Sequence, residues 1–256
     1  MNAPVLLYGE RAPASVELSA GALDVSAQQP MVLPEAEILY VLYEMPMKNA
    51  VARLPVSVHP SVPAVFGITF IHAKDSPFGS FTLGYVGIAC RTGIKPRHFV
   101  TGSFCDNAAA GDFLRNRYGF ACTQANVDYH ETYDRTCGTI ALNGRSLLDV
   151  AITESIPLVG VGAMIKYSPP LTAARVNGAP ALVQFEAAYD FKRSIRGKPR
   201  LAHFDGAGLG DAAIVPTTPI AGSRAVCDVH LLPARFEVDL EVPAERGGAR
   251  KIARTG

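Results

Sequence analysis

Short runs rich in β-branched and aromatic residues recur along almost the whole chain, and only one segment carries a full helix signature. That imbalance restricts the architecture more than any other feature. "EILYVLYEM" (37–45), "AVFGITFIHA" (64–73), "FTLGYVGIACRT" (81–92) and "RHFVTGSFC" (97–105) read as strands. The turn-forming "KDSPFGS" separates the second from the third. Further strand-like segments follow: "VDYHETY", "TCGTIALNG", "SLLDVAITES", "ALVQFEAAYDF", "PRLAHFD" and "AVCDVHLLPARFEVDLEV", with Pro233 interrupting the last. Asn-Gly pairs at 143–144 and 177–178 predict hairpin turns.

The clearest helix is "DNAAAGDFLRNRYG" (106–119), with Asp106 or Asn107 as its cap and Gly119 as its stop. A shorter one, "MKNAVARLP", ends before Pro55. Many strands with two or three helices predict a mainly β, α+β fold built on a closed or nearly closed sheet.

Residues 1–34, Pro- and Ala-bearing and without periodicity, are expected to form an arm that contributes to a subunit interface. Residues 35–243 form the folded domain, and the glycine-bearing, charged 244–256 form a flexible tail.

Composition narrows the function. With 48% apolar and 18% charged residues the chain buries a sizeable core. A net charge of +1 and the lack of a basic block argue against nucleic acid as a partner. No apolar run is long enough to span a membrane, and the N-terminus lacks a signal-peptide pattern. The five cysteines (90, 105, 122, 137 and 227) include no Cys-x-x-Cys pair. They read as free thiols of a reducing compartment, so a cytoplasmic protein is expected. "DGAGLGD" (205–211) is one residue short of a dinucleotide fingerprint and has no βαβ setting, so it reads as a loop. There is no His-Glu-x-x-His and no Gly-x-Ser-x-Gly. No cofactor and no metal are expected.

Residues 106–140 carry "DN" (106–107), Arg115, "YGF" (118–120) and "DRTCGTI" (134–140) in an order that resembles the central segment of the acetoacetate decarboxylase superfamily. The resemblance extends through "YVLYEMPMKNAVARLP", "VFGITFIHAKDSPFGS", "MIKYSPP", "GKPRLAHFD" and "IAGSRAVCDVHLLPA", covering about residues 36–242. It implies a β-barrel with a flanking sheet and a few helices, a pocket inside the barrel, and a homo-oligomer.

In that family a lysine forms a Schiff base with a β-keto acid, activated by an adjacent lysine. Here the first lysine falls on Cys122 and the second on Thr123. The acid of the turn falls on Ser80, a pocket glutamate on Gly67, and the arginine near the first strand at about Ala36. Lys166 matches a family lysine in a segment read as structural. A thiohemiacetal offers no electron sink comparable to an iminium, so imine-type decarboxylation is not expected.

The resemblance therefore implies a cytoplasmic enzyme acting on a carbonyl-containing small metabolite without Schiff-base chemistry, as a lyase, hydratase, isomerase or cyclase. The alternatives are a non-catalytic ligand-binding paralogue or a decarboxylase using a different residue set. Candidate catalytic residues are Cys122, His72, Glu37 and Tyr118. Ser80, Thr123, Phe78, Phe120, Gly67 and Arg115 are candidates for substrate binding. In "VDYHETYDR", alternation puts Asp128, His130 and Asp134 on one face and Glu131 on the other, and a solvated exterior is the expected setting.

Overall fold

The computed structural model describes residues 7–19, 22–23, 25, 29–158 and 167–252. Among these are sixteen strands and two α-helices. The first half holds β1 (Ala22–Leu23), β2 (Met31–Glu44), α1 (Met47–Arg53), β3 (His59–Pro60), β4 (Val65–Ala73), β5 (Phe81–Thr92), β6 (Lys95–Cys105) and α2 (Ala108–Tyr118). Next come β7 (Thr123–Gln124), β8 (Asn126–Glu131), β9 (Arg135–Leu142), β10 (Arg145–Pro157) and β11 (Pro170–Val176). Last are β12 (Ala179–Gln184), β13 (Ala187–Phe204), β14 (Pro219–Leu231), β15 (Phe236–Asp239) and β16 (Ala249–Lys251).

One hydrogen-bonded path joins most of them in the order β16-β15-β12-β11-β6-β5-β4-β2-β14-β13-β10-β9-β8. Short strands attach at the side, β1 on β11, β3 on β5 and β7 on β6. The protein is mainly β. The path is open, with no pairing between its ends among the described residues. The hydrogen bonding thus supplies no ring of the kind that the resemblance implies. The sheet instead curls, so that Val127, Ile140 and Val150 of β8–β10 share a core with Phe66, Ile68 and Phe70 of β4.

Alternation places a second core on the other face. Ala36, Ile38, Ile71, Leu83 and Tyr85 point there and are covered by Ala110, Leu114 and Tyr118 of α2. Each such large apolar side chain contributes about 1.5–3 kcal/mol of burial. The helix follows its sequence signals: Asn107 accepts a hydrogen bond from Ala110 N at 3.1 Å, and Gly119 ends the helix in the left-handed region at φ 72°. Both Asn-Gly pairs form hairpin turns with positive φ, joining β9 to β10 and β11 to β12.

Some boundaries differ from expectation. Residues 31–34, assigned to the arm, open β2, where Met31 pairs with Leu231. Earlier arm residues are tied down too, with Gly9 N donating to Val58 O and Ser19 N to Ala173 O. Residues 249–251 of the tail form edge strand β16 against β15. "ALVQFEAAYDF" splits at residues 185–186 into β12 and β13, and the last predicted strand splits around Pro233 into β14 and β15. No helix among the described residues is long and apolar enough to cross a membrane.

Candidate functional site

Cys122 follows the αL stop of α2. Its amide donates to Phe120 O at 2.8 Å, and its carbonyl accepts from Arg115 Nη2 at 2.7 Å. Arg115 also pairs with Asp112 at 2.5 Å, which braces the turn against the helix. The thiol lies in the α2-covered core, 5% exposed. Burial pushes its pKa up to about 12, Cys105 reinforces the shift, and the Ser103 hydrogen bond offsets it only in part. A thiol held protonated in this way is a poor nucleophile near neutral pH. Thr123, the next residue, is exposed and pairs with Phe104 in β6.

The α2-side face of the sheet also carries aromatic and polar side chains. Tyr85 packs on Phe120 with ring centroids 5.5 Å apart and hydrogen-bonds Thr69. Tyr40 meets Tyr167 edge-on at 5.3 Å, and Tyr167 meets Tyr189 at 5.0 Å. Tyr40 Oη stands 3.4 Å from Nδ1 of His98, whose Nε2 has no hydrogen-bond partner. Burial drives the Tyr85 phenol up to about 12, and raises Tyr40, Tyr167 and Tyr189 further. It drives the His98 imidazole down to about 4. Near neutral pH this cluster therefore offers four protonated phenols and a neutral imidazole, with no net charge. Tyr40, Tyr167 and Tyr189 each keep some solvent access.

His98 also accounts for Gly67. A Cβ at residue 67 would lie 2.9 Å from His98 Nε2, so the imidazole fills the space that a side chain from β4 would take. Six of the seven lysines (48, 74, 95, 192, 198 and 251) are exposed, whereas Lys166 lies outside the described residues.

The sequence-nominated residues divide between the two faces. Cys122, Phe120 and Tyr118 lie on the α2 side. Tyr118 is fully buried; its hydroxyl donates to Leu232 O at 3.0 Å, and its carbonyl accepts from the Thr172 hydroxyl. That makes it a clamp between α2 and the strands. Phe78 packs on Phe113 at 4.9 Å, and Ser80 is exposed in the turn.

Glu37 and His72 are cross-strand partners on the opposite face. Glu37 is bound by Lys74 at 2.5 Å and Arg224 at 3.4 Å. Burial alone would raise its carboxyl, but Lys74 and Arg224 outweigh it and hold the pKa below the usual value. Arg224, with a side chain 4% exposed, also grips Glu131 through both Nη atoms and donates Nε to Tyr129 Oη at 3.0 Å. His72 stacks on Tyr129 and contacts Thr82 Oγ1 at 3.0 Å. These contacts form a closed ionic cluster joining β2, β4, β8 and β14. Asp128 and His130 are exposed and paired with each other at 2.8 Å, and Asp134 lies exposed in the following turn.

Sequence reasoning missed His98, Tyr40, Tyr85, Tyr167, Tyr189 and Arg224. The register of "EILYVLYEM" carries a partial signal, since it puts Tyr40 on the face of Ile38 and opposite Glu37. A cavity of about 470 Å³ opens beside Arg115 and Thr123, along β6, and a recess of about 50 Å³ lies beside Cys122 and Arg115.

The curled sheet and α2 give the chain an acetoacetate decarboxylase-like fold, as superposition on solved structures shows. No family model matches the sequence, and no curated protein does. Solved structures match in shape. Acetoacetate decarboxylase from Legionella pneumophila superposes with a TM-score of 0.71 at 19% identity, over 83% of this chain and 88% of that one. Enduracididine biosynthesis enzyme MppR, complexed with the condensation product of pyruvate and imidazole 4-carboxaldehyde, gives 0.66 at 15%, over 94% and 99%. An acetoacetate decarboxylase-like enzyme from Sphingomonas wittichii RW1 gives 0.59 at 14%, over 86% and 92%. At these identities the likeness establishes the fold.

Proposed function

We propose that this chain is an enzyme of the acetoacetate decarboxylase-like superfamily that acts on a carbonyl-containing small metabolite without forming a Schiff base. One observation carries the reading: where the resemblance places the reactive amine, Cys122 presents a buried, protonated thiol, set in the same α2-covered core as the uncharged Tyr85 phenol. Phenol O–H groups can hold a carbonyl oxygen and stabilise charge that develops on it, as oxyanion donors do. His98 is unprotonated at neutral pH, and with a pKa of about 4 it is a weak base. Proton transfer to it would suit a substrate whose C–H is already acidic, such as one between two carbonyls. Enolisation, elimination, hydration and ring closure all fall within that chemistry. In this reading the substrate is neutral or weakly charged, and the protein works as a cytoplasmic homo-oligomer with the curled sheet as its barrel.

A second reading, a non-catalytic binder of the same ligand class, is favoured by the position of Glu37 and His72. Both lie across the sheet from Cys122, which leaves the aromatic cluster without either nominated acid–base group.

Borohydride reduction in the presence of acetoacetate or pyruvate, read by intact mass, tests the central claim. The expected result is no adduct, and a reduced adduct on any lysine, Lys166 included, overturns it. Carbonyl metabolites that raise Tm are then assayed for turnover. Product formation supports the enzyme, and stabilisation without product across the set supports the binder.

A further inference from the structure

β6 is paired along one edge by β5, but among the described residues strands cover its outer edge only in part. β11 pairs with His98 and Phe99, and β7 pairs with Phe104 and Cys105. Val100 to Ser103 therefore border a gap in the sheet, and the 470 Å³ cavity lies along that gap. The loop of "DGAGLGD" forms one wall, and Leu209 O would lie 2.4 Å from a Cβ at Gly102. The arm forms another wall through Arg11 and Ser19.

We infer that this cavity is a binding site for a small monocarboxylate with an apolar body. Its size falls in the range of small-molecule sites. Arg11 and Arg115 both border it, against Glu17 as the single acidic residue of its lining, and Asp112 outside the lining already pairs with Arg115, so little positive charge is left to spare. That suits a monoanion better than a phosphate dianion. Each guanidinium spends only part of its donor set on fixed contacts. Arg11 donates Nε and Nη2 to Ser15 O, while Arg115 uses Nη1 and Nη2 on Asp112 and Cys122. Arg11 Nη1 and Arg115 Nε have no such fixed contact, and guanidinium donors suit carboxylate oxygens.

A further sign comes from Ser19, a residue of the cavity wall whose hydroxyl is buried and has no hydrogen-bond partner. An orphaned buried hydroxyl is costly unless something satisfies it. Leu142 and Leu209 supply apolar wall for the body of the ligand. Because Arg115 also holds the Cys122 carbonyl, a ligand here would touch the turn that carries the thiol. The inference does not depend on the Cys122 chemistry proposed above.

The chain has no tryptophan, so Leu142→Trp at the half-exposed rim gives a single fluorescent reporter. Hexanoate, hexanamide and inorganic phosphate are titrated into that protein, with calorimetry of the unmodified chain alongside. Hexanoate is expected to saturate the signal, with hexanamide at least tenfold weaker and phosphate weaker still. Arg11→Gln and Arg115→Gln are each expected to weaken hexanoate at least fivefold, and Lys192→Gln, a distant cation, to leave it unchanged. Arg11→Gln, on the arm, keeps the test valid if loss of Arg115 unfolds the turn. No binding up to about 10 mM, equal binding of acid and amide, or full affinity in Arg11→Gln would overturn the inference.

Discussion

His98 Nε2 stands 2.9 Å from the point where residue 67 would carry its Cβ, so an imidazole from β6 occupies the place of a side chain from β4. Gly67→Ala must push that ring or bend the strand. The expected loss is about 1–3 kcal/mol, as for other overpacked cores, with Gly67→Glu worse. Combining Gly67→Ala with His98→Ala should recover part of the loss, so the two changes are non-additive in urea unfolding. Strict additivity would show that the two residues do not compete for one space.

The same imidazole makes stability depend on pH. Its folded pKa is about 4, against about 6.5 in an unfolded chain. Between those values the unfolded state takes up the extra proton, so this contribution is complete above about pH 6.5 and is lost as pH falls toward 4. From pH 7.5 to 5 the loss from this group should be about 2 kcal/mol. The difference in unfolding free energy between those two pH values should shrink by that amount in His98→Gln.

All five cysteines are buried, and burial raises the pKa of each. The native protein should be nearly silent to Ellman's reagent at pH 7.5 and release the full complement of thiols in guanidinium. Cys122→Ala should leave turnover of any substrate identified by the carbonyl screen within twofold. A fast native thiol that disappears in Cys122→Ala would restore covalent catalysis as a candidate.

Arg224 is the shared cation of Glu37 and Glu131, and its removal leaves Glu37 with Lys74 alone and Glu131 with solvent. Arg224→Met should destabilise the fold by about 1–3 kcal/mol, less than full loss of a buried pair because Lys74 still neutralises Glu37. Lys198→Met removes an exposed partner of Glu154 and should change stability by less than about 1 kcal/mol. Chemical denaturation of both variants checks the contrast.

Local chemistry carried much of the fold. Asn107, Gly119 and the two Asn-Gly turns act through their own backbone geometry, which is why a reading of neighbours in sequence finds them. Strand alternation also predicted that Glu131 would part from Asp128 and His130, and Glu131 does pair with Arg224 while they pair with each other. The candidate site was less legible. Alternation says which residues share a face of one strand, but not which face α2 will cover, so Glu37 and His72 were grouped with Cys122 from across the sheet. His98 gave no signal at all. Its environment is assembled from β2, β4 and residues 167–169, and no short window of sequence contains that combination.

The pairing of β2 with β14 sets a condition on how the protein is made. Tyr40 faces Ser223 across that ladder, so one edge of β2 waits while the ribosome produces the long stretch between the two strands. Until Pro219–Leu231 emerges, a long, largely apolar strand edge stays available to other nascent chains. Chaperone demand should therefore last until β14 has emerged.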